Sequence, residues 1–208
     1  MKKSNLKTLI LTCAVCLLPM IFGAVFYEKL PEEMPVHFNM NNEVDRYSSK
    51  EFALFGIPAI MLGMQIFCCV ISYVNEDKKG KKPRFIGIVE WIIPILSVVI
   101  SVITIEVPLG SDVDVRKSIL LILGILYLLM GNYMPKTSYE EMKGKMHPMP
   151  KNEKMYRKMM RMMGYTFVVF GLLLLVSIFF EAIVSCVIIL AMVTVLLVET
   201  VWVYRKNK

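Results

Sequence analysis

The chain has 208 residues, of which 56% are hydrophobic and 20% charged, with a net charge of +7 and a mean hydropathy of +0.59. An ordinary soluble domain holds only about 45–50% apolar residues, so this composition excludes one and points to a bilayer, where a helix of about 20 apolar residues crosses a hydrocarbon layer of roughly 30 Å. The basic balance predicts no direct nucleic-acid partner, because the bases bracket apolar runs instead of forming a separate basic domain.

In chain order, a basic start (Lys2, Lys3, Lys7) leads into an apolar run predicted as a first helix over about Thr8–Phe26, with Pro19 inside it. The run closes on Gly23-Ala-Val-Phe-Tyr27 without a small-residue cleavage pattern, so it reads as a retained helix and not a signal peptide. A polar stretch, Tyr27–Glu51, follows. The second helix is predicted over about Phe52–Val74, the third over Phe85–Ile105 with Pro94 inside, and the fourth over Ser118–Met134. A long basic loop, Pro135–Met163, precedes two last helices, Gly164–Phe180 and Ala182–Tyr204, which Glu181 joins with almost no loop. The five cysteines (Cys13, Cys16, Cys68, Cys69, Cys186) all lie in apolar runs. Their odd number and placement favour packing roles over a disulfide framework.

Orientation follows from loop charge. Asn75–Arg84 carries five bases against two acids and Pro135–Met163 eight against three, while the amino end and the tail carry three bases each. The intervening segments are acidic: Tyr27–Glu51 has three bases against six acids, and Glu106–Lys117 two against three. Every alternate segment agrees. The expected fold is an all-α, polytopic transmembrane helix bundle of about six spans with both termini cytoplasmic. It is read as a single membrane domain over 1–208, with an extracellular motif loop at 27–51 and a cytoplasmic basic amphipathic loop at 135–163.

The outer loop is the most patterned stretch, running from Leu30 to Lys50. Pro31 and Pro35 favour an extended entry. Asn39, Asn41 and Asn42 suit turns, and Val36, Phe38, Val44 and Tyr47 could anchor the loop on the membrane face. The residues Leu30, Pro31, Pro35, His37, Phe38, Asn39, Glu43, Asp45, Tyr47, Ser49 and Lys50 form a pattern that resembles the amino-terminal domain of SdpI-type membrane proteins of Gram-positive bacteria. Gly131-Asn132-Tyr-Met-Pro135-Lys136 is similar to the family's motif at the cytoplasmic end of the fourth helix. Gly144-Lys-Met-His-Pro148 keeps only the glycine and proline of a further cytoplasmic motif, with Met146 and Met149 where the family has arginine and tryptophan. The resemblance implies a multi-pass protein of the bacterial plasma membrane that protects its cell from a secreted toxin peptide. It also implies, as in the founding member, holding a cytoplasmic transcriptional repressor at the membrane. The expected partners are thus the lipid bilayer, a toxin peptide and such a repressor, with no cofactor.

In the basic loop, Asn152 is a candidate N-cap. Beyond it Met155, Tyr156, Met159, Met160, Met162 and Met163 share one side of a helical wheel, with Lys154, Arg157, Lys158 and Arg161 on the other. Such a helix suits a lipid surface or a docking protein. Glu90 and Glu199 lie inside apolar runs. Pairing with Arg84 or Arg205 is the structural reading, and an ion- or proton-coupled transporter is the alternative. No metalloprotease, Walker or dinucleotide motif is present, so no enzyme is expected. His37 with Glu43 and Asp45 is a weak metal pattern that lacks a closed ligand set.

Overall fold

The computed structural model describes residues 3–74, 84–142, 150 and 152–207. In chain order it comprises α1 (Lys3–Phe26), β1 (Glu33–Phe38), β2 (Val44–Ser49), α2 (Ile57–Val74), α3 (Arg84–Glu106), α4 (Val115–Tyr133), α5 (Tyr139–Met142), α6 (Glu153–Ser177) and α7 (Ala182–Asn207). Six helices, all but the short α5, are long and apolar enough to cross a membrane. The protein is a multi-pass helix bundle. Large apolar side chains such as Val25, Phe67 and Leu190 are 65–70% exposed along these helices. On a soluble protein they would form an aggregation-prone surface; here they face lipid.

The chain divides into two compact units, residues 1–76 with 89–115, and residues 77–88 with 116–208. In the first, Gln65 on α2 is 1% exposed and donates its side-chain amide to the backbone carbonyl of Glu90 on α3 at 2.9 Å. Glu90 also accepts from Ser72 Oγ at 3.4 Å. Such polar links are the natural glue between helices in lipid, where apolar contact gives no hydrophobic gain. A wide π-type turn, Phe52–Gly56, carries the chain from β2 into α2 and buries Ala53 and Leu54.

In the second unit, α4 and α6 run antiparallel on a glycine seam. A Cβ on Gly131 would stand 2.6 Å from the Gly164 carbonyl oxygen, and one on Gly171 would stand 3.0 Å from that of Gly124. The two pairs are seven residues apart on each helix, so the backbones approach closely at two points two turns apart, with Val168 and Leu175 packed against the glycines. Thr166 on α6 donates to Glu199 Oε1 on α7 at 2.7 Å. Glu199 therefore joins two helices and does not pair with Arg205. The turn between α6 and α7 is as tight as expected, and Arg116 Nη1 closes it by donating to the Phe180 carbonyl at 2.9 Å.

Two features of the basic stretch differ from the sequence reading. The basic amphipathic stretch is no separate surface segment: it is the first part of α6, which runs unbroken from Glu153 through Gly164 to Ser177. The Met face is also inside the protein. Tyr156, Met159 and Met160 are at most 1% exposed and pack with Met134, Met142 and Val203. The same period of 3.6 serves a lipid-facing helix and a protein-facing one, so the wheel alone could not separate them. Asn152 does cap α6, accepting from the Met155 amide at 2.9 Å.

Candidate functional site

The stretch read as an ordered loop is a β-hairpin. The chain leaves α1 through a short 3-10 turn, Tyr27–Lys29. Leu30 then turns inward, and the strands pair antiparallel with Glu33 opposite Ser49 and Pro35 opposite Tyr47. Two register irregularities follow, between Pro35 and His37 and between His37 and Phe38, and Phe38 ends opposite Val44. Pro35 is tolerated because a two-stranded sheet has only edge strands.

Buried side chains fasten the hairpin. Leu30 and Met34 are 4% and 0% exposed and pack with Ala53, Leu54 and Ile105. Val36, Phe26, Tyr27 and Phe55 surround them. Lys50 closes the base: its amide donates to the Glu32 carbonyl at 2.9 Å, and its ammonium donates to Glu32 Oε1 at 2.8 Å and lies 4.5 Å from the Tyr27 ring. A nearly buried cation is tolerable because both a carboxylate and a ring face it. The Tyr27 hydroxyl donates to Glu51 Oε1 at 2.6 Å. That hydrogen bond above all holds the Glu51 carboxyl below the usual carboxylate range.

The tip is built by asparagines. The Asn39 side chain accepts from the amides of Asn41 at 2.9 Å and Glu43 at 3.0 Å, and donates to Glu43 Oε2 at 2.8 Å. Asn42 sits at φ +66, a left-handed conformation that asparagine tolerates better than most residues. Its side chain reaches the connection after α3. Oδ1 accepts from the Val115 amide at 2.8 Å, and Nδ2 donates to the Val113 carbonyl at 3.2 Å. Asn42 thereby acts as a cap on α4 from more than seventy residues away.

The motif residues thus fall into two groups. Pro35, Asn39 and Lys50 hold the hairpin, with Phe38 half-buried in the ladder. Pro31, His37, Glu43, Asp45 and Tyr47 are exposed. His37 Nδ1 lies 2.6 Å from Asp45 Oδ1, and Tyr47 is 56% exposed beside the strand ladder. Of the four expected membrane anchors, Val36 packs inward and Tyr47 does not. Met34 does the anchoring, and its place beside two prolines hid it. Asn42 was legible only as a turn residue, since nothing local signals so distant a partner. Among the described residues no three His, Cys, Asp or Glu side chains converge to hold a metal ion.

In the second unit, Asn132 Oδ1 accepts from Lys136 Nζ at 3.1 Å, and that ammonium lies 4.8 Å from the Tyr133 ring. Pro135 touches the helix backbone where a Cβ on Gly164 would stand, so Gly131 and Pro135 serve the α4–α6 seam. Lys154, Arg157, Lys158 and Arg161 are exposed on α6, and Arg157 pairs with Glu153 at 2.6 Å. Gly144 and Pro148 lie outside the described residues.

Residues 14–62 match a domain of unknown function (DUF1648), a span that contains the hairpin. The whole chain is similar to the "Immunity protein SdpI" of Bacillus subtilis (strain 168), with 26% identity over 209 aligned residues that cover 99% of this chain and 97% of the relative. No solved structure matches. With its six helices long and apolar enough to cross a membrane, its hairpin and this end-to-end similarity, the chain is similar to the SdpI-type membrane proteins.

Proposed function

We propose that the protein is a membrane immunity protein that protects its cell from a secreted antimicrobial toxin peptide, by binding and not by turnover. The similarity to an immunity protein along nearly the whole chain supports the role. The hairpin is the observation that carries the mechanism. Its buried side chains fix it to the helix ends of the first unit, while His37, Asp45 and Tyr47 remain exposed. A recognition surface on a rigid scaffold loses little entropy on binding. The loop-charge pattern supports an orientation with this hairpin outside and both termini in the cytoplasm. The outer segments are acidic, which favours a cationic peptide.

A signalling role rests on connectivity. Asn42 holds the first turn of α4, and α4 ends in the Gly131–Lys136 motif on the glycine seam with α6. Displacing the hairpin tip would loosen a helix that reaches the cytoplasmic side, where a repressor could be held. The Thr166 hydrogen bond to Glu199 supports a helix-linking role for that acid over a place on an ion pathway. The test is expression in a toxin-sensitive host challenged with a panel of secreted toxin peptides, with proton flux in liposomes measured alongside. Protection without flux is expected; flux without protection would favour transport.

A further inference from the structure

The basic face of α6 meets a second basic element that the sequence reading did not connect with it. Lys158 Nζ on α6 lies 5.1 Å from the centre of the Trp202 ring on α7. Lys206 Nζ, one turn further along α7, lies 4.9 Å from the same ring. Two ammonium groups are thus drawn to one indole, and no described acid pairs with either. The acids on these two helices are engaged elsewhere: Glu153 holds Arg157, and Glu199 is buried on Thr166. Two like charges held beside one ring favour an anion close to both.

The surroundings select the kind of anion. Trp202 lies near the end of a span, at the level where tryptophan marks the membrane–water interface. The helix next to it is apolar and open to lipid, with Val198 at 63% and Val201 at 49% exposure. A soluble anion would gain nothing from that apolar strip, whereas an acyl chain would. The Met face of α6 cannot supply the lipid contact, because it is buried in the protein. We propose that Lys158, Lys206 and Trp202 form a binding site for the phosphate headgroup of an anionic phospholipid, whose acyl chains run along α7. The site is independent of the hairpin and of the toxin.

The test uses the full-length protein with Trp91→Phe, which leaves Trp202 as the single tryptophan. It is reconstituted in nanodiscs containing phosphatidylglycerol or phosphatidylcholine, with the bromine on one lipid at a time, and quenching of Trp202 is read. Each base near anionic lipid enriches it about fivefold, so brominated phosphatidylglycerol should quench more strongly than brominated phosphatidylcholine at equal mole fraction. Lys158→Gln with Lys206→Gln should remove the preference, whereas Arg157→Gln should keep it. Circular dichroism and gel filtration of each variant confirm that helix content and dispersity are unchanged. Equal quenching by the two lipids, or a preference that survives the double substitution, would overturn the site. Loss of the preference on adding millimolar glycerol phosphate would assign it to soluble phosphates and overturn the lipid assignment.

Discussion

Replacing Asn42 tests how the hairpin is joined to the rest of its unit. Asn42→Ala removes two side-chain hydrogen bonds, one to the Val115 amide and one to the Val113 carbonyl. It also leaves a Cβ-bearing residue at φ +66 without the side chain that favours it. A lost cap costs about 0.5–2 kcal/mol, a second modest hydrogen bond about 0.5–1.5 kcal/mol, and the left-handed conformation roughly 1 kcal/mol more. The total is about 2–4.5 kcal/mol. Asn42→Gly loses the same bonds but relieves the backbone, so it should cost about 1–3 kcal/mol. The assay is hydrogen exchange by mass spectrometry on peptides covering residues 111–120. One or two kcal/mol corresponds to about 5–30-fold faster opening, so the first turn of α4 should exchange at least about 5-fold faster in Asn42→Gly and at least about 30-fold faster in Asn42→Ala. The amides of α7 should be unchanged. If Asn42→Gly exchanged like the wild type, the clamp would contribute nothing, and the proposed route from hairpin to α4 would be wrong.

Further expectations concern other parts of the chain. Gly131→Ala should lower thermal stability in detergent by about 1–3 kcal/mol, the usual range for overpacking, because its Cβ would meet the Gly164 carbonyl. Gly63→Ala, with nothing within 4 Å of the new Cβ, should be neutral or stabilise by up to about 1 kcal/mol. Tyr27→Phe removes the hydroxyl that holds the Glu51 carboxyl below its usual range. A carboxyl lowered in the folded state stabilises above its unfolded pKa and loses that contribution as pH falls through the folded value. The gap in melting temperature between wild type and Tyr27→Phe should therefore be widest near neutral pH and close on acidification; a gap that widens in acid would contradict the assignment. An impermeant maleimide applied to whole cells should label Met40→Cys and leave Lys154→Cys unlabelled, and the reverse pattern would invert the proposed topology. The five native cysteines lie within the spans, out of its reach.

Much of the fold was legible because the bilayer imposes one length and one polarity on every span. The apolar runs located the six helices to within a few residues at most ends, and Asn152 was readable as a cap because capping is local. The amphipathic stretch over 153–163 was misplaced at the surface because its wheel fits a lipid-facing helix as well as a protein-facing one, and because Gly164 continues the helix instead of ending it. The hairpin was legible as ordered but not as a sheet, since Val44–Ser49 alternates weakly and Pro35 sits inside the first strand. Its fastening was less legible still. Met34 shows no period, and Lys50 looks like a solvated charge until Glu32 and Tyr27 are seen around it. The glycine seam depends on residues from two helices whose pairing no local pattern encodes.

The central claim is that the exposed face of the hairpin meets a toxin peptide. The most direct measurement is the toxin concentration survived by a sensitive host carrying either the wild-type chain or the variant His37→Ala, Asp45→Ala, Tyr47→Ala, with membrane abundance measured in the same cells. These three side chains are exposed, and none belongs to the buried contacts that fasten the hairpin. The wild type is expected to raise the survivable concentration, and the variant to lose most of that protection at equal abundance. Full protection by the variant at equal abundance would contradict the account and move the working site elsewhere in the protein.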